Sequence, residues 1–105
     1  MKIRVYILNW NGGEDLKNCI TSLKSNKYKK LSITVIDNCS SDNSLSNLPD
    51  DITIVSLGKN YGFSNGYNIG IKKSIKNEDE YIILLNYDTI VNPDFIDIII
   101  ENIKK

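Results

Sequence analysis

Four short stretches of this chain, residues 4–8, 32–36, 52–55 and 81–85, are dominated by apolar residues with no sustained polar alternation, and each exits into Asn, Asp or Gly. A run without alternation fits a strand buried on both faces, as in a parallel sheet covered by helices. The intervening segments read as helical, so the strands should run parallel through right-handed crossovers, with all four polar exits on one rim. Ligands bind beyond the carboxyl ends of the strands in such sheets. The predicted fold is α/β, a parallel sheet with helices on both faces, and residues 1–105 form a single domain.

The first helix starts after Gly12-Gly13, with Glu14 and Asp15 in its first turn and Leu16, Cys19, Ile20 and Leu23 at helical spacing. A short helical segment over residues 45–48 is expected to be stopped by Pro49. A third helix fits residues 64–76, with Tyr67, Ile71 and Ile75 four apart. Gly66 and Gly70 weaken that helix by roughly 1 kcal/mol each relative to Ala, which suggests close backbone approach. The last helix begins near Asn92-Pro93-Asp94, and Phe95, Ile96, Ile98, Ile99, Ile100 and Ile103 wrap most of its circumference. Such a helix expects cover on several sides.

Lys+Arg and Asp+Glu each number 13, and this zero formal charge argues against a nucleic-acid binder that neutralises many phosphates. No apolar stretch of about 18 residues is present to span a bilayer, and residues 1–4 lack the apolar core of a secretion signal. The expected location is the cytoplasm, or the membrane periphery. Cys19 and Cys39 are read as free thiols. Histidine is absent, so a metal would sit on oxygen ligands, which favours Mg²⁺ or Mn²⁺ over Zn²⁺. Lysines 27, 29, 30, 72, 73, 76, 104 and 105 cluster near predicted helix carboxyl ends, opposite the polar rim.

At the fourth exit, Asn86-Tyr87-Asp88 places two oxygen side chains two residues apart, a spacing that can present a divalent cation to a diphosphate. In isolation the same pattern is more often a turn former. Asp37 ends the second strand and is expected to face the rim, where it could accept hydrogen bonds from a base or ribose. Trp10, the only tryptophan, sits at the first exit, either stacking on a base or anchoring the core. Ser40 and Asp42 fit a capping turn as well as a site. The segment from Asn60 to Asn68 has glycines for tight turns and amides at a helix start that can receive phosphate or sugar oxygens. It lacks the Gly-Lys-Ser/Thr ending of a phosphate-binding P-loop.

Taken in order, Ile7-Leu8-Asn9-Trp10-Asn11-Gly12, Val35-Ile36-Asp37-Asn38-Cys39-Ser40-Ser41-Asp42, Asn60-Tyr61-Gly62-Phe63 with Asn68-Ile69-Gly70, and Leu84-Leu85-Asn86-Tyr87-Asp88-Thr89 resemble the motifs of family 2 glycosyltransferases, closest to the rhamnosyltransferase-like branch. The resemblance implies a GT-A fold, of which this chain would be the amino-terminal, nucleotide-sugar-binding portion. It also implies glycan biosynthesis by an inverting transfer of sugar from a nucleotide diphosphate to an acceptor hydroxyl. Asn9, Trp10 and Asp37 would hold the nucleoside, with Asn11 beside them, and Asn60, Gly62 and Asn68 would shape the donor pocket. Asp88 would meet a Mg²⁺ or Mn²⁺ ion on the diphosphate, and Asn86 would stand where many relatives have an aspartate.

The implied partners are a UDP- or dTDP-linked sugar and an acceptor glycan or lipid-linked glycan. No residue matches the family's general base, which is expected outside this chain, in a missing carboxyl-terminal half or a subunit of a homo-oligomer. The alternative reading is a non-enzymatic α/β interaction module that works through the apolar last helix.

Overall fold

The computed structural model describes residues 2–76 and 78–103. Along the chain run β1 (Ile3–Asn9), α1 (Gly13–Lys24), β2 (Leu31–Asp37), β3 (Thr53–Ser56), α2 (Phe63–Ser74), β4 (Tyr81–Asn86) and α3 (Phe95–Ile103). The strands form one parallel sheet in the order β3-β2-β1-β4. β1 and β2 are central and pair residue for residue from Ile3↔Leu31 to Asn9↔Asp37, while β4 flanks β1 from Ile3↔Tyr81 to Leu8↔Asn86.

Successive strand residues face opposite sides of the sheet. Val5, Ile7, Ile33, Val35 and Leu85 meet Leu16, Cys19, Ile20 and Leu23 of α1 in one core, against which Phe95 of α3 also packs. Tyr6, Leu8 and Ile36 meet Tyr67 of α2 in a second core on the other face. Helices therefore cover both faces, as the unalternated strand pattern requires. Over the edge strand β4, Leu84 remains half exposed on the α2 side of the sheet.

Strand and helix boundaries fall within two residues of the sequence expectation, with one exception. Residues 44–47 form turns and no helix. Asn47 adopts a left-handed backbone (φ 60°), and Ser44 donates from both its amide and its hydroxyl to Asp42 Oδ1, so the backbone is diverted before a helix can propagate. Leu45 and Leu48 still dock on the α1-side core, which explains their helix-like apolar spacing.

The polar amino-terminal edge of the sheet is closed by Arg4, whose guanidinium donates to Asp79 Oδ2 (2.8 Å) and Thr34 Oγ1 (2.8 Å). Lys29, Lys30 and Lys76 lie around this edge with Glu78, Asp79 and Glu80, opposite the strand exits. Lys104 and Lys105 lie outside the described residues. Both cysteines are free, Cys19 buried and Cys39 exposed. No helix among the described residues is long and apolar enough to cross a membrane.

The glycines of α2 serve close packing. A Cβ on Gly70 would lie 2.5–2.6 Å from three side-chain carbons of Ile36, and one on Gly66 would lie 3.0 Å from Leu8 Cδ1. Gly70→Ala is expected to destabilise the domain by about 1–3 kcal/mol through overpacking, despite the gain in helix propensity. Urea unfolding checks this, and adding Ile36→Ala should recover part of the loss. A Gly70→Ala protein as stable as wild type would contradict the packing.

Candidate functional site

The strand exits are organised from a buried polar network. Asn9, at the end of β1, is fully buried, and its Nδ2 lies within hydrogen-bonding distance of Asp37 Oδ1 (3.0 Å), Ser44 Oγ (2.9 Å) and Ser40 Oγ (3.1 Å). Its Oδ1 accepts from Gly12 N (3.1 Å). An amide has only two hydrogens for three acceptors, so the two serines contribute by directing their own hydroxyl hydrogens elsewhere. Ser40 Oγ donates to Asp37 Oδ1 (2.7 Å) and Ser44 Oγ donates to Asp42 Oδ1 (2.6 Å).

Asp37 is correspondingly committed. Oδ1 accepts from Asn9 and Ser40, and Oδ2 accepts from Ser40 N (3.0 Å), so a single lone pair on Oδ2 stays open. The sequence placed this carboxylate facing the rim, whereas it is buried and mainly holds the loop that follows it. Asn11 adopts a left-handed backbone (φ 53°), and its Oδ1 accepts from Ser41 N (2.7 Å) and Asp42 N (3.1 Å), tying the loops after β1 and β2 together. The Ser44 hydroxyl holds the exposed Asp42 carboxyl below the usual carboxylate range. Ser40 and Asp42 are thus turn-forming residues.

Above this network opens a cleft of about 410 Å³, lined by Leu8, Trp10, Asn38, Asn60, Gly62, Phe63, Asn86, Tyr87 and Asp88. Trp10 is 50% exposed here, so it is no core anchor. Asn60 Oδ1 accepts from Gly62 N (2.8 Å), forming a tight turn in which Gly62 takes φ 80°, a conformation that favours glycine. Five of the residues expected from sequence, Trp10, Asn60, Gly62, Asn86 and Asp88, therefore meet in one cleft. Asn9 and Asp37 lie beneath it, Asn11 ties loops to one side, and Asn68 sits on an exposed turn of α2 outside the lining.

Asn38 acquires a specific role only from the tertiary structure. It is buried at the base of the cleft, its Nδ2 donates to Gly62 O (3.0 Å), and its Oδ1 accepts from Tyr61 N (2.9 Å). One side chain thereby clips the 60–62 turn to the end of β2. Its place directly after Asp37 was the only sequence signal. Phe63, 63% exposed at the start of α2, was likewise hidden in its motif.

The Asn86–Asp88 turn is held from below by α1. The Cys19 thiol donates weakly to Asn86 O (3.8 Å), and Thr89 N closes the turn on the same carbonyl (3.2 Å). Asp88 itself is exposed. Among the described residues no three His, Cys, Asp or Glu side chains cluster as a metal cage. Asp88 and Asn86 nonetheless line one cleft and supply two oxygen donors, a set that suits Mg²⁺ or Mn²⁺ only when ligand phosphates complete the coordination.

A four-stranded parallel sheet with helices on both faces and a cleft at the strand exits make this an α/β domain that would bind a ligand on one rim. The profile of Glycosyl transferase family 2 matches residues 5–105, and the chain belongs to that family of enzymes. The poly-beta-1,6-N-acetyl-D-glucosamine synthase of Staphylococcus aureus (strain COL) is 32% identical over 100 residues, covering 90% of this chain and 24% of the relative. The synthase of Staphylococcus epidermidis (strain ATCC 35984) is 32% identical over 101 residues, covering 91% and 24%. The chain thus spans about a quarter of the length of these relatives.

Solved structures agree on the fold, which is of the GT-A type. S. aureus TarS 1–349 in complex with UDP-GlcNAc superposes with a TM-score of 0.82 at 21% identity, over 99% of this chain and 31% of that TarS 1–349 chain. The mannosyltransferase PcManGT from Pyrobaculum calidifontis, in complex with GDP-Man and Mn²⁺, gives 0.76 at 18% identity, over 89% and 29%.

The buried thiol carries a pH signature. Burial, reinforced by the negative charge of Asp88, pushes Cys19 from 9.0 up to about 11. The unfolded thiol therefore ionises first, and stability is lost as pH rises from 9 towards 11, with no contribution below. Urea unfolding at pH 8 and pH 10.5 should show a larger alkaline loss for wild type than for Cys19→Ala. Equal losses would mean that the thiol does not feel this environment.

Proposed function

We propose that residues 1–105 form the donor-binding domain of an inverting sugar transferase that takes its sugar from a UDP-linked donor. The observation that carries this reading is the cleft at the strand exits, lined together by an exposed tryptophan, a glycine turn and an Asn-x-Asp pair. In this arrangement the Trp10 ring stacks on the base, a contact that is tolerant of base identity. The Asn60–Gly62 turn, clipped by Asn38, supplies backbone groups to the donor, and the Asn9–Asp37 network keeps the Trp10 and Ser40 loops in register beneath it. UDP is favoured over dTDP because UDP-GlcNAc and UDP are the ligands in the TarS complexes.

Asp88 and Asn86 would hold Mg²⁺ or Mn²⁺ against the diphosphate. A bound ion of this kind neutralises charge that develops on the departing diphosphate. Inversion also requires a base that takes the proton of the attacking acceptor hydroxyl on the face opposite the leaving group. Among the described residues Asp88 is the only carboxylate in the cleft lining, and it is assigned to the diphosphate side. The base, and with it the acceptor glycan site, is assigned to another segment or subunit. The exposed apolar residues Ile82 and Leu84 on β4 and Ile98 on α3 offer surface for such a neighbour.

Because Trp10 is the sole tryptophan, its fluorescence reports directly on the cleft. UDP should quench it saturably, and Mn²⁺ should tighten the binding. Trp10→Ala, followed by calorimetry, should weaken UDP by about 1–3 kcal/mol. Asp88→Ala should abolish the Mn²⁺ effect while sparing metal-free binding. No saturable response to UDP or dTDP, with or without Mn²⁺, would overturn the reading. If the protein were instead a dimer by light scattering, blind to nucleotides and unaffected by Asp88→Ala, its exposed apolar faces would mark an interaction module.

A further inference from the structure

The side chain of Tyr67 reaches from α2 through the second core to the backbone of two strands at once. Its hydroxyl donates to Leu85 O of β4 (2.7 Å) and accepts from Leu8 N of β1 (3.3 Å), and the residue is buried. These attachment points each lie one residue before the end of the strands that carry Trp10 and Asp88 into the cleft. Leu8 itself lines the cleft, and Asn86 follows Leu85 directly. The same ring is packed edge-on against Phe63, with centroids 5.1 Å apart and planes at 79°.

From this geometry we infer that Tyr67 is the positioning residue of the cleft. It ties the β1 and β4 walls to α2 and holds Phe63 on the third side. The arrangement depends on α2 lying close to the sheet. Gly66, one residue earlier, leaves no side chain between the helix and Leu8 or Asn38. Among the described residues β4 is an edge strand paired with β1 alone, and Tyr67 ties its end to α2 as well. The Tyr67 hydroxyl adds a clasp between the two strands that lead into the cleft. The inference rests on the donor-binding reading for its functional consequence and on the two hydrogen bonds for its structural one.

Tyr67→Phe keeps the ring and removes only the hydroxyl. The control is Ser74→Ala, which removes another α2 hydroxyl, bonded to Tyr6 OH (3.3 Å) and Gly70 O (2.7 Å) away from the cleft. Each variant is followed by urea unfolding, by NMR amide exchange at Leu8 without nucleotide, and by Trp10 fluorescence with UDP as probe. The expectation for Tyr67→Phe is Leu8 exchange faster by about tenfold and UDP binding weaker by about fivefold, the scale of one lost hydrogen bond. Ser74→Ala should change neither, although its stability falls comparably.

Unchanged Leu8 exchange and UDP affinity in Tyr67→Phe would overturn the inference. Equal weakening of UDP binding by both variants would also overturn it, since that would reflect lost stability alone. If wild type failed to bind UDP, the donor-binding reading would fall, and Leu8 exchange would by itself decide whether Tyr67 clasps the strands.

Discussion

A carboxyl group buried in a protein must be met by donors, and at Asp37 that requirement fixes much of the surrounding chain. Its partners come from Asn9 and Ser40, so satisfying it couples the end of β1, the end of β2 and the turn that follows. Asn9 extends the network to Ser44 and Gly12, and Asn11 adds the amides of Ser41 and Asp42. The loops after the two central strands are thereby crosslinked without any covalent bond. Removing one member would strand the others, which is why such networks act as units.

The two strand-end aspartates illustrate how position in the sheet divides the labour. Asp37 ends a central strand, pairs across to Asn9 on one side and Ser56 on the other, and is covered by the loops it organises. Asp88 lies just past the end of β4, an edge strand, in a turn with open space on its outer side. The same chemical group is consumed by structure in the first place and left facing solvent in the second. Only the exposed carboxylate is free to meet a cation brought in with a ligand.

Cleft formation follows from how the helices divide between the faces. α1 packs on one side and supports the Asn86–Asp88 turn through Cys19, while α2 packs on the other with Gly66 and Gly70 pressed to the strands. The connection into α2 reaches the rim through Asn60 and Gly62, and Asn38 pins it there. The lining of the cleft thus comes from four separated parts of the chain.

Much of this was legible in the residues. Unalternated apolar runs required a sheet covered on both faces, and helical spacing between them required parallel order, because burial on two sides leaves no polar face to alternate. The Asn, Asp and Gly exits located the rim, and the glycines of α2 signalled close packing. The 45–48 segment misled because its leucines dock on the core from turns, so apolar spacing reported burial and not helix. What only the tertiary structure decided was the direction of each polar side chain at the rim: Asp37 inward, Trp10 outward, Asn38 across to a loop more than twenty residues away. Hydrogen-bond partners distant in sequence choose those directions, and a local pattern of residue types carries no record of them.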